Sequence, residues 1–460
     1  MNYTGQRILV LGLGVTGLSL ALWLRGRGAT VRVADTRAAP PMQGKLKTRA
    51  PDIALRLGPW DDALFNDVDL VAISPGLNIN HPAVAAARKR KVPFVGDIEL
   101  FARELPAEQR VIAITGSNGK STVTALTGAL CTAAGMRTVV AGNIGVPVLD
   151  ALTKAEKRGR HPDLYVLELS SFQLETTMSL VPTVATVLNL SPNHLDWHPD
   201  VADYVRAKSR IFQNGGEQVL NREDPLTMAM QSEPVVRTFG SDAPVNSTQW
   251  GLREHDGEEW LANGSRNLVA ASDLTLTGRH NALNALAALA LADALGIPAA
   301  GKVLRALCEF RGLAHRMAQV AQVRGIVYID DSKSTTVAST IAALEGMRRK
   351  SVLIAGGDAK GQDFIPLVPA VRTHARAVVL LGRDAPLLER ALRASGVDLI
   401  AAASIEEAVV RASAVAQRGD AVLLSPACAS WDMFRDYNER GDRFASAVRA
   451  LPLETDDAHA

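Results

Sequence analysis

Cysteine is scarce in this chain, three in 460 residues, and Cys131, Cys308 and Cys428 lie far apart with no C-x-x-C pair. That spacing excludes the common zinc frameworks and a disulfide-stapled domain, and it fits a reducing compartment, so a cytoplasmic protein is expected. Aromatic residues make up only 5%, and neither sign of charge dominates: 50 Lys and Arg stand against 48 Asp and Glu, for a net charge of +2. Without a basic run there is no electrostatic case for a nucleic-acid partner or an anionic membrane surface. Long hydrophobic runs are also missing, with one near-exception. Residues 8–24 carry no charge, yet Gly12, Gly14 and Gly17 interrupt them and a strand-like segment follows at 30–34. Strand, glycine turn, helix and strand read as a buried βαβ unit rather than a leader or a span, and no membrane insertion is expected.

The chain is rich in one short motif. Residues 114–122 read I-T-G-S-N-G-K-S-T, between an apolar strand at 111–114 and a helix starting near Ser121. Backbone N–H groups of Gly116, Ser117, Asn118 and Gly119, with the helix N-terminus behind them, make a concave anion site. Lys120 would reach the terminal phosphates of a nucleotide, and the hydroxyl of Ser121 or Thr122 would hold Mg²⁺. The loop is a shortened form of G-x-x-x-x-G-K-[ST], whose first glycine would fall at Ile114.

Length suggests roughly three domains, placed at residues 1–97, 98–311 and 312–460. Apolar strands are expected at 7–11, 30–34 and 70–73, then 111–114, 138–140, 164–168 and 183–188, then 326–329, 352–355, 377–381 and 421–424. Helical stretches alternate with them, including an Ala/Leu-rich helix at 282–295. This is an α/β pattern with parallel sheets: a Rossmann-like N-terminal domain, a central P-loop ATPase-type domain and a Rossmann-like C-terminal domain.

Other residues gather where strands end. Gly12, Gly14 and Gly17 with Asp35 would suit a dinucleotide, but Thr36, Arg37 and the Ser74-Pro75-Gly76 turn leave another diphosphate ligand open. Glu168 ends a buried strand and is a natural Mg²⁺ ligand beside Ser121. His194, in N-H-L-D after another strand, is a candidate metal or phosphate contact, whereas Lys208 by itself reads as a solvated lysine. Asn281 and Asn284 lie on one helical face and could cap the helix or meet a purine edge. The last region supplies Arg316, Asp331, Lys333, Thr335, Lys360 and Ser430, cations and oxygens suited to a small anionic substrate.

In order, I-T-G-S-N-G-K-S-T, L-E-L-S-S-F-Q-L-E, N-H-L-D, G-x-H-N-x-x-N, G-L-A-H-R, D-D-S-K-S-T, G-G-D-A-K-G and S-P-A-C-A-S resemble the motif series of the Mur ligases over nearly the whole chain. D-S-K, G-G-D-x-K-G and S-P-A-C-A-S are similar to the member that adds D-glutamate, and the D-N-P-R motif of the diamino-acid enzyme is absent. The resemblance implies ATP-dependent joining of D-glutamate to UDP-N-acetylmuramoyl-L-alanine through an acyl phosphate, with domain closure and a monomeric protein. It implies UDP-substrate contacts at Thr16, Asp35, Thr36, Arg37, Ser74, Gly76, Asn143 and His194. ATP would meet the loop, Asn281, Asn284, Arg316 and Asp331. One Mg²⁺ would sit on Ser121 and Glu168, and a second on His194 and Lys208 carrying a carbamate. Lys120, Glu168, His194 and Lys208 would form the catalytic set, and Lys333, Thr335, Lys360, Ser430 and Tyr437 would surround the glutamate. Three positions depart from the pattern: Thr336 and Asp436 stand where asparagines are expected, and Tyr437 replaces a phenylalanine. A carboxylate at 436 is unfavourable beside a dicarboxylate unless it points away. An NAD-dependent oxidoreductase, a folylpolyglutamate-synthetase-like ligase, ligation of L-glutamate and a non-catalytic nucleotide switch are the competing readings.

Overall fold

The computed structural model describes residues 2–77, 81–191, 197–234, 236–276, 278–347, 349–359 and 361–452. The chain divides into two compact units, Met1–Phe310 and Arg311–Ala460. Among the described residues no helix is long and apolar enough to cross a membrane.

The first unit holds two sheets. Five parallel strands run in the order Ala54–Leu57, Thr30–Asp35, Arg7–Leu11, Leu70–Ile73, Phe94–Val95. The uncharged stretch at 8–24 is the strand and helix Val15–Gly26 that begin this sheet. A Cβ on Gly17 would lie 1.8 Å from the carbonyl oxygen of Gly12, so only glycine lets this helix start so close to its strand. The second sheet has nine strands, and its parallel core runs Thr138–Gly142, Leu164–Glu168, Arg110–Thr115, Val184–Val187, Glu217–Asn221. The two sheets share one apolar core, to which helices Val15–Gly26, Asp97–Glu104 and Val148–Lys157 contribute. Within it Phe101 meets Tyr165 edge-on at 5.0 Å, a pair worth ~1 kcal/mol beyond its buried area. Ser19 Oγ donates to Asp150 Oδ1 at 2.6 Å across the same junction.

The parallel expectation fails at two edges. Strands Gln249–His255, Glu258–Asn263 and Arg266–Ala270 form an antiparallel meander on the second sheet. Their turns are Asp256-Gly257 and Gly264-Ser265, and Asp256, Gly257 and Gly264 all have positive φ, as tight hairpins require. In the second unit, Ala318–Val323 pairs antiparallel with Ile326–Asp330 through Arg324-Gly325. The remaining strands of that unit are parallel, in the order Ile326–Asp330, Ala421–Leu424, Ser351–Gly356, Ala375–Leu381, Asp398–Ala401. Apolar side chains fill both of its faces.

Candidate active site

Strand register places the central residues of the first unit. Ile114 pairs with Glu168 on one side and Thr115 with Val187 on the other. Parallel neighbours end at the same edge, so the glycine-lysine loop opens between Glu168 and the segment that follows Val187. Gly119 caps helix Lys120–Ala133 with φ +79°, a left-handed turn that aims the first helical N–H groups into the loop. Asn189 braces it: Ser117 N donates to the Asn189 carbonyl and Asn118 N to Asn189 Oδ1, each at 2.8 Å. Ser117 Oγ lies 3.0 Å from the Tyr204 hydroxyl and accepts from Ser191 N at 2.9 Å. Lys120 Nζ donates to the carbonyls of Gly116 and Ser117, both at 2.9 Å, which holds the ammonium over the loop.

Next to it, Ser121 Oγ donates to Glu168 Oε2, and Asn143 Nδ2 donates to Glu168 Oε1 at 2.7 Å. This hydroxyl and carboxylate are a hard-oxygen donor set of the kind Mg²⁺ takes, so the residues fit that ion. Lys208 is no solvated lysine. It is 2% exposed, its Nζ donates to Thr115 Oγ1 at 3.0 Å and lies 4.8 Å from the Tyr204 ring centre. Burial, then the like charge of Lys120, pulls its pKa well below the ordinary lysine range against the opposing pull of Glu168. Asn284 borders the loop, since a Cβ on Gly119 would lie 2.6 Å from its Oδ1. Asn284 Nδ2 donates to Asn281 Oδ1 at 3.3 Å. His194 and Lys360 fall outside the described residues.

Three residues here carried no role in the sequence reading. Asn189 and Tyr204 hold the loop as described. His198 is buried with Nδ1 2.7 Å from Asp203 Oδ2 and Nε2 3.1 Å from Ser171 Oγ. With Glu175 nearby, its ligand atoms and those of Asp203 fall within 4.8 Å of one another, but both ring nitrogens are already engaged. The five-residue step from His198 to Asp203 is the only local trace of this pair.

At the first sheet, the ends of three adjacent strands bring Thr16, Thr36, Arg37, Ser74 and Gly76 to one edge. Asp35 is buried there, and both its oxygens are occupied: Oδ2 by Leu13 N at 2.7 Å, and both by the Arg37 side chain at 2.8 and 2.6 Å. Burial raises its pKa, but these hydrogen bonds outweigh it and hold the carboxyl below its usual value. Asp35 thus fixes the glycine turn and Arg37.

The second unit repeats the device. Asp330 and Ile354 both pair with Leu424, so the loops after three neighbouring strands, carrying D-S-K-S-T, S-P-A-C-A-S and G-G-D-A, open side by side. They are stitched together: Ala427 N donates to Ser334 O at 3.0 Å, Gly356 N to Pro426 O at 2.9 Å, and Asp358 and Ala429 exchange two bonds at 2.9 Å. Gln362, absent from the sequence reading, donates to the carbonyls of Thr335, Ala359 and Ala427. Lys333 Nζ lies 5.2 Å from the ring centre of Tyr437, and Ser430 is buried in the S-P-A-C-A-S loop. Asp331 accepts from Met317 N at 3.2 Å and Ser425 Oγ at 2.9 Å, and burial pushes its pKa up to about 6. It thereby anchors the turn that presents Arg316, where His315 and Met317 both have positive φ and store strain of the kind found at ligand clamps.

Comparison with known proteins agrees with this arrangement. The chain matches the descriptions Mur ligase MurD-like, N-terminal domain over residues 6–96, Mur ligase middle domain over 114–292, and Mur ligase, glutamate ligase domain over 315–428. It is 53% identical, over 97% of both chains, to UDP-N-acetylmuramoylalanine–D-glutamate ligase of Methylobacillus flagellatus. It is 51% identical, over 99% of both, to the protein of that name from Thiobacillus denitrificans. The chain belongs to the Mur ligase family. Among solved structures, the UDP-N-acetylmuramate-alanine ligase of Thermotoga maritima shares the fold with a TM-score of 0.61, at 21% identity, over 97% of this chain and 100% of the other.

As a Mur ligase the chain departs from the expected motifs at Thr336 and Asp436, and the structure explains both. Each is a helix N-cap. Thr336 Oγ1 accepts from Ser339 N at 3.3 Å, and Asp436 Oδ1 accepts from Glu439 N at 2.9 Å. Asparagine, threonine and aspartate all serve at that position. The Asp436 carboxylate is turned onto its own helix, which removes the expected conflict with an acidic substrate.

Proposed function

We infer that this chain joins D-glutamate to UDP-N-acetylmuramoyl-L-alanine with hydrolysis of ATP to ADP and phosphate, acting as a cytoplasmic monomer. The observation that carries the reading is the centre where a phosphate loop, the Ser121–Glu168 oxygen pair and the buried Lys208 converge. The names of relatives about half identical over the full chain support the substrate pair.

A carboxylate does not condense with an amine in water until one of its oxygens becomes a leaving group. The terminal phosphoryl group of ATP passes to the L-alanyl carboxylate, giving an acyl phosphate and ADP. The amine of D-glutamate then attacks the acyl carbon, phosphate departs, and the nitrogen loses a proton. Phosphoryl transfer is mostly positioning and charge neutralisation. Residues 116–122 cradle the phosphates and Lys120 follows the transferring group. Asn281 and Asn284 meet the adenine, and Arg316 and Asp331 contact the nucleotide. Ser121 and Glu168 would hold one Mg²⁺, and His194 with a Lys208 carbamate a second, supplying charge neutralisation at the phosphoryl oxygens. Lys208 suits that modification because its amine is desolvated: the neutral nitrogen adds to CO₂ and releases one proton, turning a cation into an oxygen donor. The first sheet edge, with Thr16, Asp35, Thr36, Arg37, Ser74 and Gly76, takes the UDP moiety, and Asn143 the sugar. Lys333, Thr335, Lys360, Ser430 and Tyr437 surround the glutamate.

Phosphate release is measured with ATP and UDP-N-acetylmuramoyl-L-alanine while D-glutamate, L-glutamate or other amino acids are added separately. Release that requires D-glutamate is expected. Release indifferent to any amino acid would sink the ligase reading, and equal use of L-glutamate would remove its stereochemical part.

A further inference from the structure

Arg440 is a buried cation with an unusual set of partners. It lies in the first turn of helix Tyr437–Arg449 and is 1% exposed. Its Nε donates to Ser332 Oγ at 2.9 Å, one Nη to Ser332 O at 2.7 Å, and the other to Cys428 O at 3.1 Å, with Gly356 O at 3.5 Å. Ser332 belongs to D-S-K, Cys428 to S-P-A-C-A-S and Gly356 to G-G-D. One guanidinium thus reaches all three loops that open at one edge of the second unit's sheet. Ser332 Oγ in turn donates to Tyr437 O at 2.8 Å, closing the network onto the same helix.

None of these acceptors is a carboxylate. Asp330 and Asp432 are near enough to favour the charge, yet among the described residues neither forms an ion pair with it. A planar fork of donors suits carbonyls arriving from several directions, which a lysine ammonium cannot match in geometry. The loops and the helix that Arg440 joins carry Lys333, Thr335, Ser430 and Tyr437.

We propose that Arg440 is a positioning residue for the amino-acid subsite: through one guanidinium it sets the three loops, and with them the side chains they present to the amino acid, at their mutual distances. This rests on the ligase reading. Arg440 touches no substrate itself, since it has no exposed surface to offer. The loops are joined by backbone bonds as well, so its loss loosens the subsite without abolishing it.

The test is steady-state kinetics on the full chain, with KM measured separately for D-glutamate, ATP and UDP-N-acetylmuramoyl-L-alanine. Arg440→Gln is expected to raise KM for D-glutamate about tenfold or more, while the other two KM values move less than about threefold. Arg440→Lys keeps the charge but not the fork, and is expected to fall between Arg440→Gln and the native chain. Ser332→Ala, which removes the hydroxyl that accepts from Arg440 and donates to Tyr437 O and is expected to fold, should raise KM for D-glutamate about threefold or more and decides the matter if the arginine variants do not fold. Equal rises in all three KM values, or an unchanged KM for D-glutamate in Ser332→Ala, overturns the proposal. A native chain without amino-acid-dependent turnover fails at the ligase reading instead, which separates the two.

Discussion

Gln173 Nε2 donates to both carboxylate oxygens of Asp97, at 3.2 and 3.4 Å. Asp97 opens the helix that follows the first sheet, and Gln173 sits in the helix just after Glu168, where its own Oε1 accepts from Ser170 N. The bond therefore ties the first sheet's last helix to the turn that carries the candidate metal ligand.

Burial is the dominant influence on Asp97 and pushes its pKa from 3.8 up to about 6, against the Gln173 bond. An acid whose pKa is higher folded than unfolded binds more protons in the native state, so stability is lost as pH rises from about 4 to 6 and stays lost above. Asp97→Asn accepts the same bond without a charge. It is expected to gain ~1–2 kcal/mol at pH 7.5 and to show a smaller fall in Tm between pH 5 and 7 than the native chain. An unchanged pH profile of Tm would contradict this.

A Cβ on Gly119 would displace the Asn284 Oδ1 that borders the loop, and its φ is +79°. Gly119→Ala should lose ATP binding by about tenfold or more, measured by calorimetry, with a stability cost of ~1–2 kcal/mol from the left-handed backbone. Unaltered ATP affinity would mean that the loop is not where the nucleotide phosphates sit.

Glu168 is held by Ser121 and Asn143. Glu168→Gln keeps the shape and one oxygen acceptor, so folding should persist while kcat drops about 10²-fold or more. Chelation of divalent cations should stop phosphate release in the native chain, and added Mg²⁺ should restore it. Turnover that survives chelation would exclude a metal role for this pair.

Lys208→Ala is expected to lower kcat about 10²-fold, with partial recovery in millimolar acetate, which can bring a carboxylate into the vacated space. Carbon-13 spectra of native protein in labelled bicarbonate should contain a carbamate signal that the variant lacks. The native signal and activity should both fade as pH falls, because protonating the amine expels CO₂. Lack of a carbamate signal in active native protein would refute the modification.

Asp436→Asn should leave KM for D-glutamate within about twofold, since the asparagine caps the same helix, whereas Asp436→Ala should cost ~1 kcal/mol of stability. A large fall in KM for D-glutamate in Asp436→Asn would show that the carboxylate does face the substrate.

Much of this was legible along the chain. Strands Leu164–Glu168 and Ala421–Leu424 were readable to the residue, because a buried parallel strand is a short apolar run bounded by polar turns. The phosphate loop needs only contiguous residues, so its glycines, lysine and hydroxyls announced it. The Asp256-Gly257 hairpin also carried a local signal, which the dominant alternation of strands and helices obscured. Lys208 was misread as solvated because helical position says nothing about what lies over a side chain.

The chain's own order of residues was enough to specify the strand-loop-helix units and the chemistry each loop could perform, since those depend on neighbours a few positions apart. Folding alone settled which loops share an edge and what lies beneath them. Arg440 is 108 residues from Ser332 and 84 from Gly356, and no local pattern encodes such a meeting. It follows from strand order, in which the strand ending at Leu424 inserts between those ending at Asp330 and Gly356. That insertion is driven by burial of both sheet faces, a property of the whole unit.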